Sequence, residues 1–153
     1  MGKVRMAMLI IVLLITLSGC NSRINFTMVG QSMEPNIKAG DTIKIDLTYI
    51  QMNNVHKGDI VAYKMENGKY NVKRVIGLPG DVVEIKNEKI YLNNKELQED
   101  YINSGVKTKI IKENKWTVAE GKAFILGDNR EYSQDSRWFG PITYENVVGK
   151  VIQ

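Results

Sequence analysis

The chain opens on one unbroken apolar run and then changes character. Residues 6–17 carry no charge. From Ile24 onward, apolar positions come in short groups punctuated by Gly, Pro and Asn. Thr42-Ile43-Lys44-Ile45-Asp46-Leu47 alternates with the period of two that a half-buried strand requires. Residues 59–64 follow a Lys57-Gly58 break, and residues 70–76 end in the turn sequence Gly77-Leu78-Pro79-Gly80-Asp81. Residues 81–86 and 89–92 flank Asn87-Glu88, a hairpin pattern. Further strands are expected at 106–111, 116–118, 122–126 and 147–152, with the polar stretch 93–104 as an excursion from the main sheet. No segment after residue 20 sustains a 3.6-residue apolar period, and there is no internal repeat or interdomain linker. The pattern predicts a mainly β fold, a small barrel or sheet, preceded by one N-terminal hydrophobic helix.

Composition places the chain among ordinary globular domains. It has 153 residues, 43% hydrophobic and 25% charged. The formal net charge is +4, but Lys3 and Arg5 lie in the first twenty residues, and the remainder holds 19 basic against 17 acidic groups. That balance gives no argument for a nucleic-acid partner. Lys3 and Arg5, the apolar run and Ser18-Gly19-Cys20 read as a secretory segment. As a helix, residues 6–19 would span about 21 Å, short of the roughly 30 Å of a bilayer core. Leu17-Ser18-Gly19-Cys20 resembles a lipobox, which implies diacylglyceryl transfer to Cys20 and cleavage before it. The alternative is an uncleaved short signal-anchor. Basic residues ahead of the run favour a cytoplasmic N-terminus. The expected division is therefore an address at 1–20 and an extracytoplasmic domain at 21–153, tethered to membrane lipid.

The chain has one His (His56) and one Cys (Cys20). A Ser-His pair has one possible base, a metal cluster has almost nothing to build from, and no cofactor or metal is expected. His56 reads as an exposed loop residue, and Trp116 and Trp138 as packing residues. Three blocks stand out: Gly30-Gln31-Ser32-Met33-Glu34-Pro35, Lys73-Arg74-Val75-Ile76-Gly77-Leu78-Pro79-Gly80-Asp81, and Gly127 through Arg137. A softer fourth is Gly58-Asp59-Ile60-Val61-Ala62-Tyr63. Taken singly, each has a bland reading as a turn, an edge-strand lysine or a polar loop. Together and in this order they resemble bacterial type I signal peptidases, the membrane-bound Ser/Lys endopeptidases that remove signal peptides. The match covers most of residues 30–151. It implies a β-rich catalytic core, Ser32 as nucleophile, Lys73 as general base and Ser133 as the hydroxyl that orients the lysine. It implies that Asp135 organises the site through an ion pair with Arg137 or Arg74. It also implies substrates that are signal peptides of exported preproteins, with small side chains at positions −1 and −3.

The chemistry constrains the lysine. A serine hydroxyl is a poor nucleophile until a base takes its proton, and an amine is a base only when neutral. With a reference pKa of about 10.4, only about one lysine in a thousand is neutral near pH 7.4. Lys73 should therefore be desolvated, and Asp135 should not pair with it directly. Two departures from the resembled pattern stand out. Gly30 occupies the position where some members carry a serine donor to the oxyanion, leaving the Ser32 backbone N–H as the expected donor. Asn36 stands where Thr usually follows the proline. The stretch between the second and third blocks is short, so no large inserted cap domain is expected. Asn21 to Gln31, at most about 36–40 Å extended, would hold Ser32 near the outer leaflet. Met28, Val29 and Met33 are either lipid-touching or core. Two alternatives remain: a specialised Ser/Lys maturation peptidase, as in a conjugation system, and an inactive lipoprotein binding module.

Overall fold

A computed structural model of the chain describes residues 22–50 and 55–152. The expected N-terminal helix, the 1–20 address and Cys20 lie outside the described residues. The strands are β1 (Arg23–Thr27), β2 (Thr42–Asp46), β3 (Ile60–Lys64), β4 (Tyr70–Gly77), β5 (Val82–Lys86) and β6 (Lys89–Leu92). β7 (Lys95–Glu96), β8 (Lys115–Thr117), β9 (Lys122–Leu126), β10 (Ile142–Thr143) and β11 (Val147–Ile152) complete the set. Helix among the described residues is confined to single turns, including α1 (Ser136–Phe139). The fold is mainly β, as the alternation predicts.

Two antiparallel sheets carry the described residues. One has seven strands in the order β1-β2-β11-β3-β4-β9-β10; the other has four in the order β7-β6-β5-β8. The short stretch between the second and third motif blocks thus builds a small sheet of its own. The hairpin expected at Asn87-Glu88 forms, with φ of 51° and 60°. Asn93 and Asn94, at φ 53° and 65°, make a second tight turn from β6 into β7, inside the stretch read as an excursion. Two positive-φ residues in succession suit a two-residue hairpin, and Asn tolerates that region better than most residues.

Core packing follows the two faces of β4. Val61, Tyr63, Val75 and Ile125 pack in one cluster. Val72 joins Met28, Met33, Ile37, Ile45 and Ala62 in another. Between the sheets, Ile76, Val83, Ile85, Trp116, Phe124 and Leu126 form a third. Gly77 sits where the sheets meet: a Cβ there would lie 2.8 Å from Val83 Cγ2 and 3.2 Å from Val118 Cγ2. Only glycine permits that approach without displacing a stiff valine.

One expectation needs correction. Residues 106–111 form no strand. Thr108 is buried, its N–H donates to the Glu88 carbonyl and its hydroxyl is held by Arg130, while Ile110 is exposed. The segment answers to those polar anchors rather than to a ladder. Met28 and Met33 are core residues, 4% and 0% exposed, which removes them as lipid contacts; Val29 alone of the three is exposed.

Candidate active site

Lys73 owes its position to the pairing of β3 with β4. Val61 lies opposite Lys73, and Tyr63 opposite Asn71. The bonds Val75 N–H to Asp59 O and Met65 N–H to Lys69 O flank this ladder. By alternation, the backbone groups of residues 71 and 73 turn toward β3, and those of Val72 turn away from it. On that far side β9 pairs only with Arg74 to Gly77. Val72 therefore stands on an open stretch of sheet edge. Beside it lies a cleft of about 340 Å³ whose lining includes Phe26, Met28, Ser32, Tyr70, Asn71 and Lys73.

Ser32 is carried by the loop after β1. Glu34 N–H donates to Gln31 O and Ile37 N–H to Met33 O, and Met33 is wholly buried beneath them. The Ser32 carbonyl accepts from Asn129 N–H at 3.0 Å, which ties the loop to the third motif block. Asn36 adds a second tie, donating to Asp128 Oδ2 at 2.8 Å and to the Tyr101 carbonyl at 2.6 Å. The departure at Asn36 is thus a working loop anchor.

The two ends meet. Lys73 Nζ lies 2.9 Å from Ser32 Oγ, and its side chain is fully buried. It lies equally 2.9 Å from Asn71 Oδ1 and from the Val72 carbonyl. Burial is the main cause that lowers the lysine pKa to about 8, against the upward pull of the Asp135 and Asp128 carboxylates. Both carboxylates carry a guanidinium partner. Arg137 holds Asp135 through Nε at 2.8 Å and Nη2 at 2.9 Å. Arg74 holds Asp128 through Nε at 2.8 Å and Nη2 at 2.7 Å, and stacks over Tyr101 at 4.1 Å. These bidentate pairs reduce the negative field at Lys73. Asp135 thus pairs with Arg137 rather than Arg74, and no ion pair links it to Lys73 among the described residues.

Asp135 also organises the backbone. It caps α1 by accepting from Arg137 N–H, and it accepts from Gly127 N–H at 3.1 Å. Arg137 in turn donates to the carbonyls of Arg130 and Ser133. Arg130 is buried, donates to Gly127 O at 3.0 Å and forms an ion pair with Glu99. The Gly127–Arg137 loop is therefore bound from within by two buried guanidinium groups.

Ser133 departs from expectation. It is buried, but its hydroxyl has no hydrogen-bond partner among the described residues. The amine is held instead by Asn71 and Val72. Asn71 drew no attention in the sequence, although a period of two places it on the Lys73 face of β4. Asp128 and Arg130 lay inside a recognised block without an assigned role, and Glu99 gave no signal. His56 is exposed, Trp116 packs on Phe124, and Trp138 is 42% exposed. The Arg137 guanidinium is engaged by Asp135 and backbone carbonyls rather than by Trp138.

Gly127 sets the closest tolerance. A Cβ there would lie 2.2 Å from Ser133 Oγ and 2.5 Å from the Ser32 carbonyl oxygen. A Cβ at Gly30 would meet no described residue within 4 Å. Gly127→Ala should cost about 1–3 kcal/mol or more in chemical denaturation, while Gly30→Ala leaves stability within about 0.5 kcal/mol of wild type. Equal stability of the two variants would contradict the packing described.

Comparisons with known proteins agree in sequence and in fold. The family model described as signal peptidase, peptidase S26, matches residues 1–153. Signal peptidase IB of Staphylococcus aureus (strain COL) is 36% identical over 141 residues, covering 82% of this chain and 74% of that protein. Signal peptidase I V of Bacillus subtilis (strain 168) is 34% identical over 139 residues, covering 84% and 83%. The crystal structure of a signal peptidase I from Enterococcus faecalis V583 superposes with a TM-score of 0.53 at 32% identity, covering 65% of this chain and 97% of that one. With the whole chain matched by the family model and two relatives above 30% identity, this protein belongs to the signal peptidase family, peptidase S26.

Proposed function

We propose that the protein is a membrane-tethered type I signal peptidase, cleaving signal peptides from exported preproteins with Ser32 as nucleophile and Lys73 as general base. The observation that carries the reading is a fully buried lysine amine 2.9 Å from a serine hydroxyl at the wall of an open cleft. Ser32 Oγ attacks the scissile carbonyl as its proton passes to Lys73 Nζ. The ammonium then returns that proton to the departing amine, leaving an acyl-enzyme. Water hydrolyses the ester with Lys73 again as base. The Ser32 N–H, which donates to no backbone carbonyl among the described residues, suits the role of oxyanion donor. An extended substrate chain fits the cleft beside Ser32, whose limited size suits small residues at −1 and −3.

Magnitude supports the choice of base. With a pKa of about 8, roughly one lysine in five is neutral near pH 7.4, against about one in a thousand for a solvated side chain. Tethering has support in the chain itself. Only Asn21 and Ser22 separate Cys20 from β1, so any anchor at Cys20 would hold the sheet close to the membrane surface.

Preprotein processing in detergent tests the chemistry. Ser32→Ala and Lys73→Ala should each lower cleavage on the order of a thousandfold. Cleavage by all three proteins at one rate would remove both residues from the mechanism, and none by wild type would favour a binding module. For the wild type, kcat/KM should rise about tenfold per pH unit up to about pH 8 and then level off; a limb near 10.5 would contradict a desolvated base. Intact mass of membrane-extracted protein tests the anchor. A species beginning at diacylglyceryl-Cys20 is expected, and an unmodified start at Met1 would refute lipidation.

A further inference from the structure

Among the described residues, the three contacts of the Lys73 amine differ in kind. The Val72 carbonyl can only accept a hydrogen bond. The Asn71 side chain could present oxygen or nitrogen, but the same atom takes the Val72 N–H at 2.9 Å, so it must be the oxygen and must accept. Ser32 Oγ is the one neighbour able to donate. A neutral amine has two N–H donors and one lone pair. Two acceptors and one hydroxyl donor match that inventory atom for atom, and the lone pair is left for the Ser32 hydroxyl.

We propose that Asn71 is the positioning residue of the general base, its amide oxygen holding one N–H of Lys73 so that the lone pair faces Ser32. This rests on the Ser/Lys reading above. Asn71 is well placed for the task. Its oxygen is itself held by the Val72 N–H, on an edge where no strand among the described residues pairs with that group. The Ser133 hydroxyl, buried and without a partner among the described residues, makes no such contact. The charged and titratable groups around the amine are Asp135 with Arg137 from the third block, Asp128 with Arg74, and Tyr63 from β3, whose hydroxyl is pushed up to about 12, chiefly by burial. None of these takes one of the amine's protons among the described residues.

Two near-isosteric variants test the proposal. Asn71→Leu removes the acceptor and should lower kcat about tenfold or more, with KM within about twofold of wild type. Asn71→Asp keeps the shape and places a carboxylate on the amine. It should raise the Lys73 pKa by at least one unit, move the acid limb of kcat/KM upward by the same amount, and reduce cleavage near pH 7 by tenfold or more. A lysine [13Cε] NMR titration of the Asp variant, with Lys73→Met identifying the signal, reads the amine whether or not the enzyme turns over. An unmoved Lys73 titration in Asn71→Asp, or wild-type kcat in a folded Asn71→Leu, would overturn the proposal. If Ser32→Ala still cleaves while the Asn71→Asp titration moves, the dyad reading fails and the Asn71–Lys73 contact stands.

Discussion

Desolvation of one amine is the constraint to which the site is fitted. Left in water, Lys73 would carry a proton and be useless as a base near neutral pH. Here the opposing strand β3 and the cluster around Val61, Tyr63 and Val75 exclude water from it. The two carboxylates nearest in effect, Asp135 and Asp128, pull in the wrong direction. Each is balanced by an arginine held in two-point contact. The arginines therefore act on the amine indirectly. They let acidic residues brace the loops around Lys73 while limiting the upward pull on its pKa.

Ser32 is fitted to Lys73 by backbone more than by side chains. Asn129 N–H fixes the Ser32 carbonyl, and Gly127 leaves room for that carbonyl and for Ser133. Asn36 links the same loop to Asp128, which is held by Arg74, the residue next to Lys73 on β4. A path of hydrogen bonds thus runs from the Ser32 loop through Asp128 to the strand that carries the lysine. Shifting any member would move one partner of a 2.9 Å contact relative to the other.

The sequence made the strands legible wherever period two or a turn signal was strong, as at β2, the β5–β6 hairpin, β9 and β11. It failed at 106–111, where apolar residues suggested a ladder but buried Thr108, Arg130 and Glu99 dictated an irregular path. Ser32, Lys73, Asp135 and Arg137 could be marked from motif blocks, because each block is continuous in the chain. Asn71 could not, because an Asn on a strand carries no chemical signal until the atom it faces is known. The Ser133 contact with lysine comes from the resemblance, whereas in this chain Asn71 Oδ1 and the Val72 carbonyl each lie 2.9 Å from the amine.

Burying the amine gives the account a consequence separable from turnover. The folded-state pKa of about 8 lies below the ordinary lysine value of 10.5. Between those values the unfolded chain binds the extra proton, so stability must rise with pH through that window. Two and a half units correspond to about 3 kcal/mol. The most direct test is the unfolding free energy of wild type minus that of Lys73→Met, measured from pH 7 to 10.5. The difference should be flat below pH 8 and then rise in favour of wild type by about 3 kcal/mol. A difference that stays constant from pH 8 to 10.5 would mean that Lys73 is not held neutral by the fold, and would contradict the account.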